Sequence, residues 1–280
     1  MENKILGEFI RRCLNEDLGD GDYSSLSCIS KEKTGKAKLL IKEKGVLAGI
    51  KVAGVLFSTI DKDLKFDIIL DDGASVVPGD IAFYLSGSQQ SILKSERLVL
   101  NIMQRMSGIA TSTREYVSRL NGLKTNILDT RKTTPGFRFL EKEAVRIGGG
   151  MNHRMGLYDM IMLKDNHIDY AGGIEKAIIK ARVYLKKNNL NLKIEIEARN
   201  SADVKKILSV GGVNRIMLDN FNIKDTLAAV KEIAGRYEIE SSGGITLETV
   251  RSYAECGVDF ISVGALTHHI KSLDMSLKAM

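Results

Sequence analysis

The chain has 280 residues, 44% hydrophobic and 27% charged, with a net charge of +6. That balance excludes a long disordered region, and the length suits two unequal domains better than one. The lysines are dispersed, with no arginine-rich tract or stacking aromatic series, so the charge fits a small anionic ligand rather than nucleic acid, and no apolar run approaches a membrane span.

Ile5, Leu6, Phe9, Ile10, Cys13 and Leu14 recur at three- and four-residue spacing, which predicts an amphipathic helix ending before the loop EDLGDGD. Acids among these apolar residues make the segment unlike a secretory signal. Cys13, Cys28 and Cys256 form no CxxC pair, which argues against a zinc site or disulfide framework and fits a reducing cytoplasm.

Short β-type runs follow at 37–42, 64–70 and 81–87, with a helical pattern at 53–60 and a turn at Pro78-Gly79. This predicts a small α+β domain. From Ser88 a long helical pattern breaks near Gly108 and resumes to a stop at Asn121-Gly122. Beyond it, apolar runs at 126–129, 160–163, 192–196, 215–218, 237–240 and 260–263 alternate with helices, and that order predicts parallel pairing.

The notable polar residues fall just past the ends of those strands: Arg131 and Lys132, Lys164, Glu197, Asp219, Ser242 with Gly243, and Gly264. In a β/α barrel such ends open onto one face, although an open doubly wound sheet would also gather a ligand there. Arg131, Lys132, His153, Arg154 and Lys164 lie among glycines and short apolar runs. Guanidinium forks and movable ammonium groups together can hold a polyanion in one orientation.

Ser242-Gly243-Gly244 before a helix, and Gly264-Ala265-Leu266 one strand later, form a candidate phosphate cradle built from backbone N–H groups. Glu197 and Asp219 end consecutive strands and suit sugar hydroxyls or Mg²⁺, whereas on periodicity alone Glu195 and Glu197 read as the polar half of an alternating strand. Lys132 and Lys164 are charge stabilisers or, if desolvated, Schiff-base nucleophiles. Arg97 reads on its own as a solvated helix residue. His167 is equally a structural histidine, and His268 and His269 stand near the start of an expected C-terminal helix.

Taken together, TRKTTPGFR, GGGMNHRMGLYD, LKDNHI, IEIEA, IMLDNF, SSGGIT and ISVGALTH resemble the quinolinate phosphoribosyltransferase family, and EDLGDGD, PGD and SERLVLNIMQRMSGIAT extend the likeness over nearly the whole chain. The resemblance implies an α/β fold, with an N-terminal α/β sandwich domain at 1–110, joined by 267–280, and an irregular open β/α barrel at 111–266. It implies phosphoribosyl transfer from phosphoribosyl pyrophosphate to quinolinate with decarboxylation, giving nicotinate mononucleotide in NAD biosynthesis. Mg²⁺ is implied and no organic cofactor.

By the same likeness, Thr130, Arg131, Lys132, His153, Arg154 and Lys164 would surround quinolinate, joined by Arg97 from the partner of a homodimer. Glu197 and Asp219 would serve ribose and metal, and Ser242, Gly243, Gly244, Gly264, Ala265 and Leu266 the 5′-phosphate. Lys132, Lys164, Glu197 and Asp219 would be catalytic. The choice between Glu195 and Glu197 stays open, because Arg199 and the spacing to Asp219 depart from the family pattern.

Overall fold

A computed structural model describes residues 2–280. In chain order the elements are α1 (Glu2–Leu18), α2 (Tyr23–Cys28), β1 (Thr34–Ile41), β2 (Gly45–Val46), α3 (Ile50–Ile60), β3 (Lys65–Ile68), β4 (Ser75–Val76), β5 (Ile81–Ser88), α4 (Gln89–Arg119), β6 (Asn126–Leu128), α5 (Arg138–Gly148) and β7 (Ile161–Leu163). There follow α6 (Asp165–Ala171), α7 (Ile174–Lys187), β8 (Ile194–Ala198), α8 (Ser201–Val210), β9 (Arg215–Asp219), α9 (Ile223–Ile233), β10 (Glu238–Ser242), α10 (Val250–Glu255), β11 (Phe260–Ser262), α11 (Ala265–His268) and β12 (Met275–Ala279). Residues up to Arg114, with Pro135–Gly149 and His269–Met280, make one compact unit, and Glu115–Thr134 with Gly150–His268 make a second.

The first unit carries an antiparallel sheet in the order β12-β1-β5-β3. Ala37, Leu39 and Ile41 alternate inward along β1, as expected of a sheet with one packed face. Phe57 of α3, Phe66 and Phe83 meet one another in tilted and edge contacts, with centroids 4.9 to 5.6 Å apart. Such rings add about 0.5–1.5 kcal/mol per pair beyond their buried area. Gly49 has no side chain to cap α3, and Asp72 does so instead, accepting from the amides of Gly49 and Ile50 at 2.6 and 2.8 Å.

Three features of this unit depart from the sequence expectation. Helix α4 runs unbroken through Gly108, where a Cβ would sit 2.2 Å from the Lys271 carbonyl oxygen; the glycine permits a close backbone approach and does not end the helix. No long C-terminal helix forms, because α11 lasts four residues and the period-two pattern of Met275 and Leu277 then pairs β12 with β1. Finally, α5 belongs with this unit, whereas its residues were expected with the barrel. Gly148 abuts the α4 backbone, and Arg114 Nε donates to its carbonyl at 2.9 Å.

The second unit is a six-stranded sheet in the order β6-β11-β10-β9-β8-β7, and its strand pairs are parallel. No β6–β7 pairing occurs among the described residues, so this β/α sheet is open at that seam. Register sets the chemistry of its inner face. Glu195, Arg215 and Glu238 pair across neighbouring strands as one rung, and Glu197, Met217, Glu240 and Phe260 form the next. Asp219 and Ser242 follow at the carboxyl edge. Because side chains alternate with period two, these rungs share one face. The interior of this sheet is therefore charged where branched aliphatic residues are usual.

Candidate active site

The carboxyl ends of these strands enclose a cavity of about 750 Å³, wholly within the second unit. Its lining includes Thr130, Arg131, Lys132, His153, Arg154, Lys164, Glu197, Asp219, Ser242, Gly243, Gly244, Gly264 and Ala265. Two predicted residues lie elsewhere. Leu266 has its side chain buried in the core, so it can offer the cavity only backbone. Arg97 is an exposed residue of α4 in the first unit and is not among the lining groups.

The cationic wall is built by loops after β6 and before β7. Asp129, fully buried at the end of β6, accepts from the His153 amide at 2.9 Å and from Asn152 Nδ2 at 2.5 Å, which joins the two loops. Thr130 Oγ1 accepts from the Lys132 amide at 3.0 Å, and Thr267 Oγ1 donates to the Lys132 carbonyl at 2.7 Å. Arg154 is buried, and desolvation with the nearby charge of Arg131 holds its guanidinium below the ordinary arginine value. Cations crowded in this way are relieved by a bound anion.

At the ends of β7 and β8, Glu197 accepts from Lys164 Nζ at 2.9 Å and from the Asp165 amide at 3.1 Å. Asp219 is pushed above the usual carboxylate range by burial and by the charge of Glu197. Of the two open candidates, Glu197 borders the cavity, while Glu195 lies one rung deeper. Both point inward, so the reading of Glu195 and Glu197 as a strand's solvated half is overturned: all of β8 is buried. His167 Nδ1 accepts from the Lys164 amide at 3.1 Å, which makes it a cap of α6.

Two glycines are needed for close approach. At Gly243, with φ of 99°, a Cβ would fall 2.2 Å from Asn220 Oδ1; at Gly264 it would fall 2.9 Å from Lys132 Cδ and 3.0 Å from His268 Nε2. Sequence reasoning missed Tyr116, Met162, Met217, Asn220, Ile245, Thr246 and His268, which also line the cavity. Asn220 follows a strand-end acid directly and His268 follows the Gly264 turn, so position was the signal available for each.

Beneath the cavity lies a buried charged floor. His153 Nε2 is 3.0 Å from Glu195 and 3.3 Å from Glu240. Arg215 Nη1 is 3.0 Å from Glu240 and 3.9 Å from Glu195, and Nη2 is 3.1 Å from Glu238. The Arg215 guanidinium lies over the Phe260 ring at 3.9 Å. Burial alone would lower the His153 pKa, but hydrogen bonds to Glu195 and Glu240 carry it up to about 9. The Arg154 amide, 2.6 Å from Nδ1, instead favours the neutral ring. In both states Nε2 carries the proton.

Residues 22–107 match the family model for the quinolinate phosphoribosyl transferase N-terminal domain, and 109–278 that for the C-terminal domain. The chain is 44% identical over 284 residues to quinolinate phosphoribosyltransferase (decarboxylating) 1b of Nicotiana tabacum, covering 96% of this chain and 81% of the relative. It is 40% identical to the probable nicotinate-nucleotide pyrophosphorylase (carboxylating) of Bacillus subtilis, over 99% and 94% of the two chains. The solved nicotinate-nucleotide pyrophosphorylase of Francisella tularensis superposes with a TM-score of 0.93 at 38% identity, over 99% and 97% of the chains.

Proposed function

The chain belongs to the quinolinate phosphoribosyl transferase family, and from that membership we propose that it transfers a phosphoribosyl group from phosphoribosyl pyrophosphate to quinolinate. Pyrophosphate and carbon dioxide leave, and nicotinate mononucleotide enters NAD biosynthesis. The observation that carries this reading is one cavity lined both by a cationic surface, from Arg131, Lys132, Arg154 and Lys164, and by an acid and glycine surface, from Glu197, Asp219, Gly243, Gly244 and Gly264. A dianionic ring and an activated sugar phosphate need those two surfaces side by side.

Arg131, Lys132, Arg154 and Lys164, with Thr130 and His153 in the same wall, hold the carboxylates of quinolinate. Glu197 and Asp219 face the ribose hydroxyls, and Ser242, Gly243, Gly244, Gly264 and Ala265 cradle the 5′-phosphate, with Leu266 contributing backbone only. Ring nitrogen then attacks the anomeric carbon as the bond to pyrophosphate breaks, so positioning matters more than acid or base strength. The resulting pyridinium withdraws electrons from the neighbouring carbon. The 2-carboxylate departs as carbon dioxide, and the carbanion left behind takes up a proton.

Glu197 and Asp219 also fit Mg²⁺, because the raised Asp219 carboxyl beside a second acid is relieved by a divalent cation. When bound, Mg²⁺ neutralises charge on the leaving pyrophosphate. Cytoplasmic placement fits the free Cys13, Cys28 and Cys256. Among the described residues, no helix is long and apolar enough to cross a membrane.

Purified protein incubated with quinolinate, phosphoribosyl pyrophosphate and Mg²⁺ is expected to release carbon dioxide and mononucleotide in equal amounts. Mononucleotide without carbon dioxide, or neither, would sink the reading. We also propose that Arg97, exposed on α4, completes the cavity of a second copy in a homodimer. Mixing the R97A and K132A proteins is then expected to restore activity that neither has alone, and failure to complement would remove Arg97 from the site.

A further inference from the structure

Four ionisable side chains meet at the base of the cavity with almost no access to water: Glu195 and Glu240 are 0% exposed, His153 4% and Arg215 9%. Such a group is expensive to bury, and hydrophobic residues of like volume would pack as well or better. Stability alone gives no reason for it. Its contacts converge on one ring. Both carboxylates face His153 Nε2, Arg215 donates to Glu240 and lies 3.9 Å from Glu195, and Nδ1 is met by the Arg154 amide.

We propose that Glu195, Glu240 and Arg215 are positioning residues that lock the His153 ring and, through the Arg154 backbone, aim the Arg154 guanidinium at the bound anion. The inference rests on the quinolinate reading above and deepens it. Glu195 and Arg215 lie outside the cavity lining, and Glu240, which borders it, turns a carboxylate oxygen to His153 and Arg215, so the three act through His153. Bonded to the Arg154 amide at Nδ1 and faced by two carboxylates at Nε2, the ring is fixed on both sides, and the residue after it inherits that constraint. A binding group loses affinity steeply when its support loosens by a fraction of an ångström.

A divalent ion is the rival occupant, since His153, Glu195 and Glu240 each point one ligand atom into a space within 4.8 Å. Arg215 argues against it. A guanidinium already 3.0 Å from Glu240 supplies the countercharge and would repel a second cation.

The experiment compares wild type, E240Q and the double variant R215M/E240Q, which removes one charge of each sign. Wild type is assayed first; if it does not release carbon dioxide from quinolinate, the functional reading fails and this inference falls with it. If it does, calorimetry should show quinolinate binding weakened in E240Q on the order of 10- to 100-fold, with the KM for phosphoribosyl pyrophosphate within about twofold of wild type. Equal losses for both substrates, or no loss, would overturn the proposal.

Should neither variant fold, nitrogen-15 histidine NMR of the wild type decides. A slowly exchanging Nε2 proton signal, assigned by its loss in H153N, is expected. Rapid exchange, or stoichiometric zinc found by elemental analysis, overturns the proposal.

Discussion

The Lys164–Glu197 pair at the rim of the cavity and the Arg215–Glu240 pair on its floor have nearly the same length, 2.9 and 3.0 Å. Their surroundings separate them. The Lys164 side chain is 47% exposed and Arg215 only 9%. At the rim, water reaches the ammonium, and Glu197, only 8% exposed, keeps the Asp165 amide when the lysine turns away, so the pair can open. On the floor no water substitutes, so loss of either partner strands a charge. One parallel sheet thus carries an exchangeable ion pair, between the end of β7 and β8, and a fixed one between β9 and β10.

The largest effect should come from the rim. K132A and K164A are expected to lower kcat on the order of 10² or more, and by more than they raise KM, because cations matched to developing charge act mainly in the transition state. Steady-state kinetics with saturating substrates checks this, and an unchanged kcat in both variants would remove the distinction between rim and floor.

The floor should reveal itself through pH. His153 is raised from its ordinary 6.5 to about 9, so the stability it contributes is complete below about 6.5 and lost as pH rises through about 9. At most roughly 3 kcal/mol is at stake. Glu195, pushed up by burial and by Glu240, titrates in the same sense. Chemical denaturation from pH 6 to 10 should show the decline, and H153N should flatten it. A flat wild-type curve would show that the Arg154 amide governs the charge of the ring.

The smallest effect is the control. Lys42 and Asp274 form a 3.8 Å pair in the other unit, with side chains 43% and 53% exposed. K42A should change stability by no more than about 0.5 kcal/mol. A larger loss would mean that exposure does not separate weak pairs from strong ones in this protein.

The rim was legible in the sequence and the floor was not. Strand-end residues such as Lys164, Glu197 and Asp219 announce themselves by position, because a polar residue directly after an apolar run is conspicuous. Glu195, Arg215 and Glu240 sit inside the runs, where period-two reading assigns polar residues to solvent. That rule presumes one wet face, and β8 has none. The partnership of Arg215 with Glu240 follows from the register of β9 against β10, which a single strand does not encode. Helix α4 misled for a related reason. Gly108 answers to Lys271, far along the chain, and a local reading sees only a helix breaker.

Gly264 packs between two side chains of the cavity that come from different elements. A methyl group there would strike Lys132 Cδ on one side and His268 Nε2 on the other. An alanine would therefore press on Lys132 and His268 in a single step. Under the proposed assignment of this cavity, one substitution here would shift the affinities for both substrates together.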